Sequence, residues 1–171
     1  METQVTKGPD QVTEHDSYSD DHIRQILRQV RVIAMVGASA NWNRPSYFAM
    51  KYLQQKGFRV IPVNPAAAGK TILGEPAVAS LSEIGEAVDM VDVFRPAEEC
   101  EAIADQAIAI GARVLWMQLG IRNDKAAAKA EAAGLTVIMN RCPKIEYARL
   151  YGELGWNGIA SGVISSKRRR T

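Results

Sequence analysis

Two short stretches of this chain carry residues that could do chemistry. Gly37-Ala38-Ser39 follows an apolar run and leads to Pro45; Arg141-Cys142-Pro143-Lys144 follows another such run more than a hundred residues later. A glycine behind a strand permits a tight turn, and small neighbours keep the backbone amides accessible. A proline in the first turn starts a helix whose unbonded N–H groups favour an anion. Cys142 stands just ahead of Pro143, so a helix N-terminus and two flanking cations, Arg141 and Lys144, predict a lowered thiol pKa. The competing reading is a small cysteine packed into a tight turn. Cys100 falls within a helical pattern and reads as structural.

These residues need a scaffold, and the chain alternates strand and helix five times. The predicted strands are Val32–Val36, Arg59–Val63, 90–94, 113–118 and 135–139. Their nearly continuous apolar character suits a sheet covered on both faces. Ser19, followed by Asp20 and Asp21, caps a first helix bearing Ile23, Ile26, Leu27 and Val30 at helical spacing. Pro45 and Gly57 bracket a second helix, and Ser80 with Glu83 forms a capping box ahead of a short one. Two longer helices are predicted over 97–110 and 123–133, each stopped by a glycine. The segment 66–79, rich in alanine and glycine, reads as a loop. Such alternation implies an α/β fold with a parallel sheet and right-handed crossovers. The ligand edge then lies beyond the carboxyl ends of the strands. Six basic residues fall there, Arg44, Lys70, Arg95, Arg122, Arg141 and Lys144, against two acids, Glu75 and Asp124. A rim so biased suggests an anionic small molecule.

The whole-chain properties narrow the classes. A chain of 171 residues is enough for one domain with its own core. We divide it into a mobile leader over 1–18, a nucleotide-binding domain over 19–160 and a basic tail over 161–171. No apolar run approaches a membrane span, and no secretory signal pattern opens the chain. Two cysteines are too few for a disulfide framework, so a cytoplasmic setting is expected. A net charge of +2 argues against nucleic acid. His15 and His22 read as exposed polar residues, and neither they nor the cysteines have metal-ligand spacing. Oligomeric state is left open between monomer and homodimer.

Specific nucleotide motifs fit poorly. The glycines that a dinucleotide fingerprint needs after Gly37 are missing. Where NAD-binding proteins place an acid after the second strand, this chain has Asn64-Pro65. The stretch from Asn64 to Thr71 resembles a P-loop, yet Ile72-Leu73-Gly74-Glu75-Pro76 is no helix start. Trp42 and Tyr47 are placed either to cover a base or to pack down, as aromatics commonly do.

Taken together, Arg44-Pro45-Ser46-Tyr47, Pro62-Val63-Asn64-Pro65, Val91-Asp92-Val93-Phe94-Arg95, Val114 to Gly120 and Arg141-Cys142-Pro143-Lys144 resemble the small single-domain CoA-binding proteins. That family is similar to the CoA-binding domain of the succinyl-CoA synthetase alpha subunit. The resemblance covers residues 20–150. It implies a three-layer Rossmann-like fold, a five-stranded parallel sheet ordered 3-2-1-4-5 with helices on both faces, and coenzyme A or an acyl-CoA across the carboxyl edge. It implies phosphate contacts from Gly37, Ala38 and Ser39, with Arg44, Pro45 and Ser46 at the helix start. Val63, Asn64 and Pro65 would border the adenosine, Lys70 would reach the ribose phosphate, and Phe94, Arg95 and Pro96 would form a wall. Met117 and Gln118 would flank the pantetheine arm, with Arg141 and Cys142 nearby, where a mixed disulfide with CoA is conceivable. The related synthetases work through a phosphohistidine in a second domain, and both histidines here precede the first strand. A non-catalytic carrier, sensor or regulator is therefore expected, with no catalytic residue assigned. The alternatives are an NAD(P)- or other nucleotide-dependent enzyme, and an interaction module with a vestigial pocket.

Overall fold

The computed structural model describes residues 14–152. The basic tail and most of the leader lie outside the described residues.

Five strands form the parallel sheet: β1 (Val32–Val36), β2 (Arg59–Val63), β5 (Met90–Val93), β6 (Val114–Met117) and β7 (Thr136–Ile138). Two further pieces, β3 (Thr71–Ile72) and β4 (Glu75–Pro76), make a small antiparallel hairpin between β2 and β5. The helices are α1 (Asp20–Gln29), α2 (Pro45–Gln55), α3 (Cys100–Ala109), α4 (Asp124–Ala132) and α5 (Pro143–Leu150). Side chains alternate along each strand between two cores. Ile33, Met35, Val60, Met90, Trp116 and Ile138 share one core with α1 and α2, and Tyr147 and Leu150 of α5 pack against it. Ala34, Val91, Val93, Leu115, Met117 and Val137 share the other core with α3 and α4. The buried faces of α3 and α4 include Ala104, Ala107, Ala126, Ala127 and Ala130, small residues that let the two backbones lie close together. Three layers result, as the resemblance implies.

The strand order differs from expectation. The sheet runs β2-β1-β5-β6-β7, so the five main strands taken in chain order lie 2-1-3-4-5, not 3-2-1-4-5. The cause lies between β2 and β5, where no crossover helix forms. A 3₁₀ turn (Pro65–Ala67), the hairpin and Val78 occupy that stretch. Val78 N–H donates to the Pro62 carbonyl at 3.1 Å and its own carbonyl accepts from Asn64 N–H at 2.9 Å. The outer edge of β2 is thus covered at its end, and the next strand pairs with β1 on the opposite side. The order reverses at β1, so the crevice between the ends of β1 and β5 is the topological switch point.

Other local expectations are adjusted by packing. The capping box keeps the Glu83 carboxylate on the Ser80 N–H at 3.0 Å, but the segment it caps is a single 3₁₀ turn (Leu81–Glu83). The predicted helix over 97–110 begins with a 3₁₀ turn (Ala97–Glu99) before α3. His15 and His22 are buried, contrary to the reading as exposed groups. The His15 ring bridges Tyr18 and Glu131, and the Tyr18 hydroxyl accepts from Met139 N–H at 2.8 Å. The packed body therefore starts a few residues before the Ser19 cap.

Candidate functional site

The first turn is built by backbone contacts. Gly37 donates to the Val63 carbonyl at 2.8 Å and adopts φ +90°. A methyl group placed on it would meet the Phe94 carbonyl oxygen at 2.5 Å. Only glycine lets the loop after β1 lie against the loop after β5. Ala38 is buried, and its carbonyl accepts from Asn64 Nδ2 at 2.9 Å. Asn64 Oδ1 accepts in turn from Ala66 N–H at 3.0 Å. Asn64 thus clamps the first two loops together, and both ends of its amide are engaged. Ser39 Oγ accepts from Asn41 N–H at 3.1 Å, which folds the loop back before α2. That helix begins at Pro45 behind Arg44 with no side-chain cap.

Two cavities open on this edge, and both reach Arg95. One, of about 490 Å³, is lined on the β1–β2 side by Val36, Gly37, Val63, Asn64, Pro65 and Ala66, and closed by Ser80, Glu99 and the face of α3 that carries Ile103 and Gln106. The other, of about 660 Å³, lies between the N-termini of α2 and α5. Pro45, Phe48 and Ala49 form one of its walls; Phe94 and Pro96 another; Gln118, Cys142 and Ile145 face them. The sequence-predicted residues Gly37, Pro45, Val63, Asn64, Pro65, Phe94, Arg95, Pro96, Gln118 and Cys142 therefore come together. Ala38, Ser39, Arg44 and Ser46 belong to the adjoining turn and helix start without lining either cavity. Met117 is buried in the α3–α4 core, and Lys70 sits exposed beside the hairpin. Arg141 turns away. Its guanidinium lies 5.2 Å from the Tyr18 ring centre, and its Nε is 3.7 Å from Glu146.

The rim is less positive than its composition suggests. Arg95 pairs with Glu99 at 2.8 Å, and Arg122 pairs with Asp16 and Asp124. The Lys144 ammonium lies 5.6 Å from the Tyr52 ring centre. Arg44 and Lys70 are exposed and have no carboxylate partner among the described residues. Trp42 does not pack down: it is 70% exposed, whereas Tyr47 packs on the core. The P-loop look-alike runs into the hairpin, as its sequence required.

The Cys142 thiol does not have the lowered pKa of the activated reading. Burial pushes its pKa up, and the charge of Asp92 adds to the rise, outweighing the amides of Ile145 and Lys144 and the Lys144 ammonium. Cys142 is consequently the packed thiol of the competing reading, although one side of it faces the larger cavity. Cys100 is fully buried and its thiol is pushed up to about 11, chiefly by burial. Among the described residues no group of three His, Cys, Asp or Glu side chains is placed to hold a metal ion, and no helix is long and apolar enough to cross a membrane.

Comparison with known proteins assigns the scaffold. The family model described as a CoA binding domain matches residues 31–148, from the residue before β1 into α5. The chain belongs to the CoA-binding domain family. It is similar to YneT of Bacillus subtilis (strain 168), 38% identical over 130 residues that span 76% of this chain and 95% of that protein. Among solved structures it is similar to cell-free ID.343 from Thermus thermophilus, with TM-score 0.75 and 36% identity over 78% of this chain and 100% of that one. A hypothetical protein from Pyrococcus horikoshii OT3 gives TM-score 0.75 and 36% identity, covering 82% and 97% of the two chains.

For a CoA-binding domain, the edge also holds residues that sequence reasoning did not single out. Asp92, in the middle of β5, is fully buried; Gln118 Nε2 donates to its Oδ1 at 2.7 Å, and its Oδ2 has no partner. Burial raises this carboxyl to about 7, against the lowering effect of the Gln118 bond. Phe48, Leu119, Ile121 and Ile145 line the larger cavity. The signal for Asp92 was present as an acid between two valines. The apolar four gave none, because an apolar side chain at a cavity is indistinguishable from a core one in sequence.

Proposed function

We propose that this protein binds coenzyme A or an acyl-CoA across the carboxyl edge of the sheet, in a carrier, sensor or regulatory role rather than a catalytic one. The observation that carries the reading is the pair of cavities meeting at Arg95 beside the switch point of a CoA-binding domain. The residues fit the ligand. An elongated molecule with a nucleotide end and a slender arm matches one cavity of mixed lining and one mostly apolar cavity that share Arg95. The adenosine would take the smaller cavity between Val63, Asn64 and Pro65. The pyrophosphate would lie by Gly37-Ala38-Ser39 and the uncapped start of α2, with Arg44 supplying charge. Lys70, a few residues beyond Ala66 and without a carboxylate partner among the described residues, is the group proposed for the ribose phosphate. The pantetheine arm would pass Phe94, Arg95 and Pro96 toward Gln118 and Cys142.

Two observations disfavour other assignments. The Asn64 amide is held by Ala38 and Ala66, so the position that would hold an NAD ribose diol has a loop-clamping amide in place of an acid. His15 is held by Tyr18 and Glu131, and neither histidine lines a cavity on this edge. Thermal unfolding with CoA, dephospho-CoA, NAD and ATP side by side tests the reading. At a hundred times the dissociation constant a ligand adds about 2.7 kcal/mol, a rise of roughly 5–10 °C for a domain of this size. CoA is expected to give that rise, dephospho-CoA a smaller one and NAD none. A rise with NAD equal to that with CoA would favour the dinucleotide alternative instead.

A further inference from the structure

We propose that the larger cavity is an acyl site, and that the ligand this edge is built for is a CoA thioester carrying a neutral, apolar acyl group. The inference rests on the CoA reading and specifies what hangs from the thiol. The cavity, about 660 Å³, is larger than the nucleotide-side cavity of about 490 Å³, and both fall in the range of small-molecule sites. Its walls are mostly apolar. Three of the exposed large hydrophobic side chains of the described protein, Phe48 (49%), Leu119 (55%) and Ile145 (42%), all line this one cavity. They come from three separate elements, the first turn of α2, the loop after β6 and the first turn of α5. Apolar surface gathered in this way from distant parts of the chain leaves exposure that a bound apolar group would relieve. A pantetheine arm ending in a bare thiol is rich in amides and would leave much of that surface wet.

The polar groups present discriminate against an acidic acyl group. Of the two cations lining the cavity, Arg95 is paired with Glu99 and Lys144 sits over the Tyr52 ring. Behind Gln118 lies Asp92, buried, with one carboxyl oxygen lacking a partner. A carboxylate-bearing acyl chain would find only Lys144 without a carboxylate partner among the cations of this lining, would set its charge against the apolar walls and would approach this buried acid. Gln118 itself has Nε2 on Asp92, which leaves Oε1 to accept from an amide N–H of the arm. The arrangement reads as a polar waist at Gln118 leading to an apolar end.

Calorimetric titration of the full chain at neutral pH with CoA, octanoyl-CoA and succinyl-CoA tests this. Octanoyl-CoA is expected to bind at least ~10-fold more tightly than CoA, because each buried methylene is favourable, and succinyl-CoA no more tightly than CoA. Leu119→Asp and Ile145→Asp, both at exposed positions that folding tolerates, are expected to bring the ratio of octanoyl-CoA to CoA affinity close to one. Equal binding of CoA and octanoyl-CoA by the unmodified protein would overturn the acyl site alone. A ratio unchanged in both variants, or an equal gain with succinyl-CoA, would overturn it as well. Silence from all three ligands would overturn the CoA reading and the acyl proposal with it.

Discussion

Gly37 and Asp92 show how single residues set the properties of the ligand edge. Gly37 is held at a positive φ against the Phe94 carbonyl. Gly37→Ala is expected to cost more than ~2 kcal/mol, from the left-handed backbone and the clash together; thermal unfolding measures it, and an unchanged midpoint would show that the two loops can separate. Asp92 acts through protons. Its carboxyl sits at about 7 in the folded protein because of burial, against an ordinary value near 3.9 in an unfolded chain. Between those limits the folded state keeps a proton that the unfolded chain has released. Stability from this group is therefore complete below about pH 4 and is lost as the pH rises to about 7, by about 4 kcal/mol at most. Asp92→Asn removes the titration while preserving an acceptor for Gln118. The variant is expected to melt above the parent protein at pH 8, with the difference shrinking toward pH 5. A difference independent of pH would contradict the assignment.

At the scale of elements, β6 positions the turn that carries Cys142. Trp116, fully buried in β6, donates from Nε1 to the Arg141 carbonyl at 2.9 Å. Trp116→Phe leaves that carbonyl unpaired and opens a small void, and about 2–3 kcal/mol of stability should be lost. Urea unfolding measures the loss, and alkylation of Cys142 should quicken as the turn loosens; unaltered alkylation would mean that α5 alone fixes the thiol. Most elements were legible in the sequence for physical reasons. Val32–Val36 and Arg59–Val63 are apolar almost throughout because both sheet faces are covered, and Pro45, Gly57, Asn123 and Gly134 mark helix ends by backbone chemistry. Strand order was not legible. It depends on whether the outer edge of β2 is open, and Val78 closes that edge through main-chain bonds that leave no trace in side-chain pattern. The candidate site was legible where a loop carries a marked residue type, as at Gly37 with its positive φ and at Asn64 with its loop-clamping amide. It was not where side chains choose partners after folding: Arg141 turns to Tyr18, and burial outweighs the helix terminus at Cys142.

Across the whole molecule, two cores on either side of one sheet hold five loops at a single edge, and two cavities meet there around Arg95. A CoA molecule bound as proposed lies along that edge from one cavity to the other. Amide chemical-shift mapping of the isotope-labelled protein during a CoA titration tests this most directly. The predicted result is a set of saturable shifts at Gly37, Ser39, Asn64, Arg95, Gln118 and Cys142, with NAD at equal concentration leaving them in place. Shifts confined to other surfaces, or none at all with CoA, would contradict it.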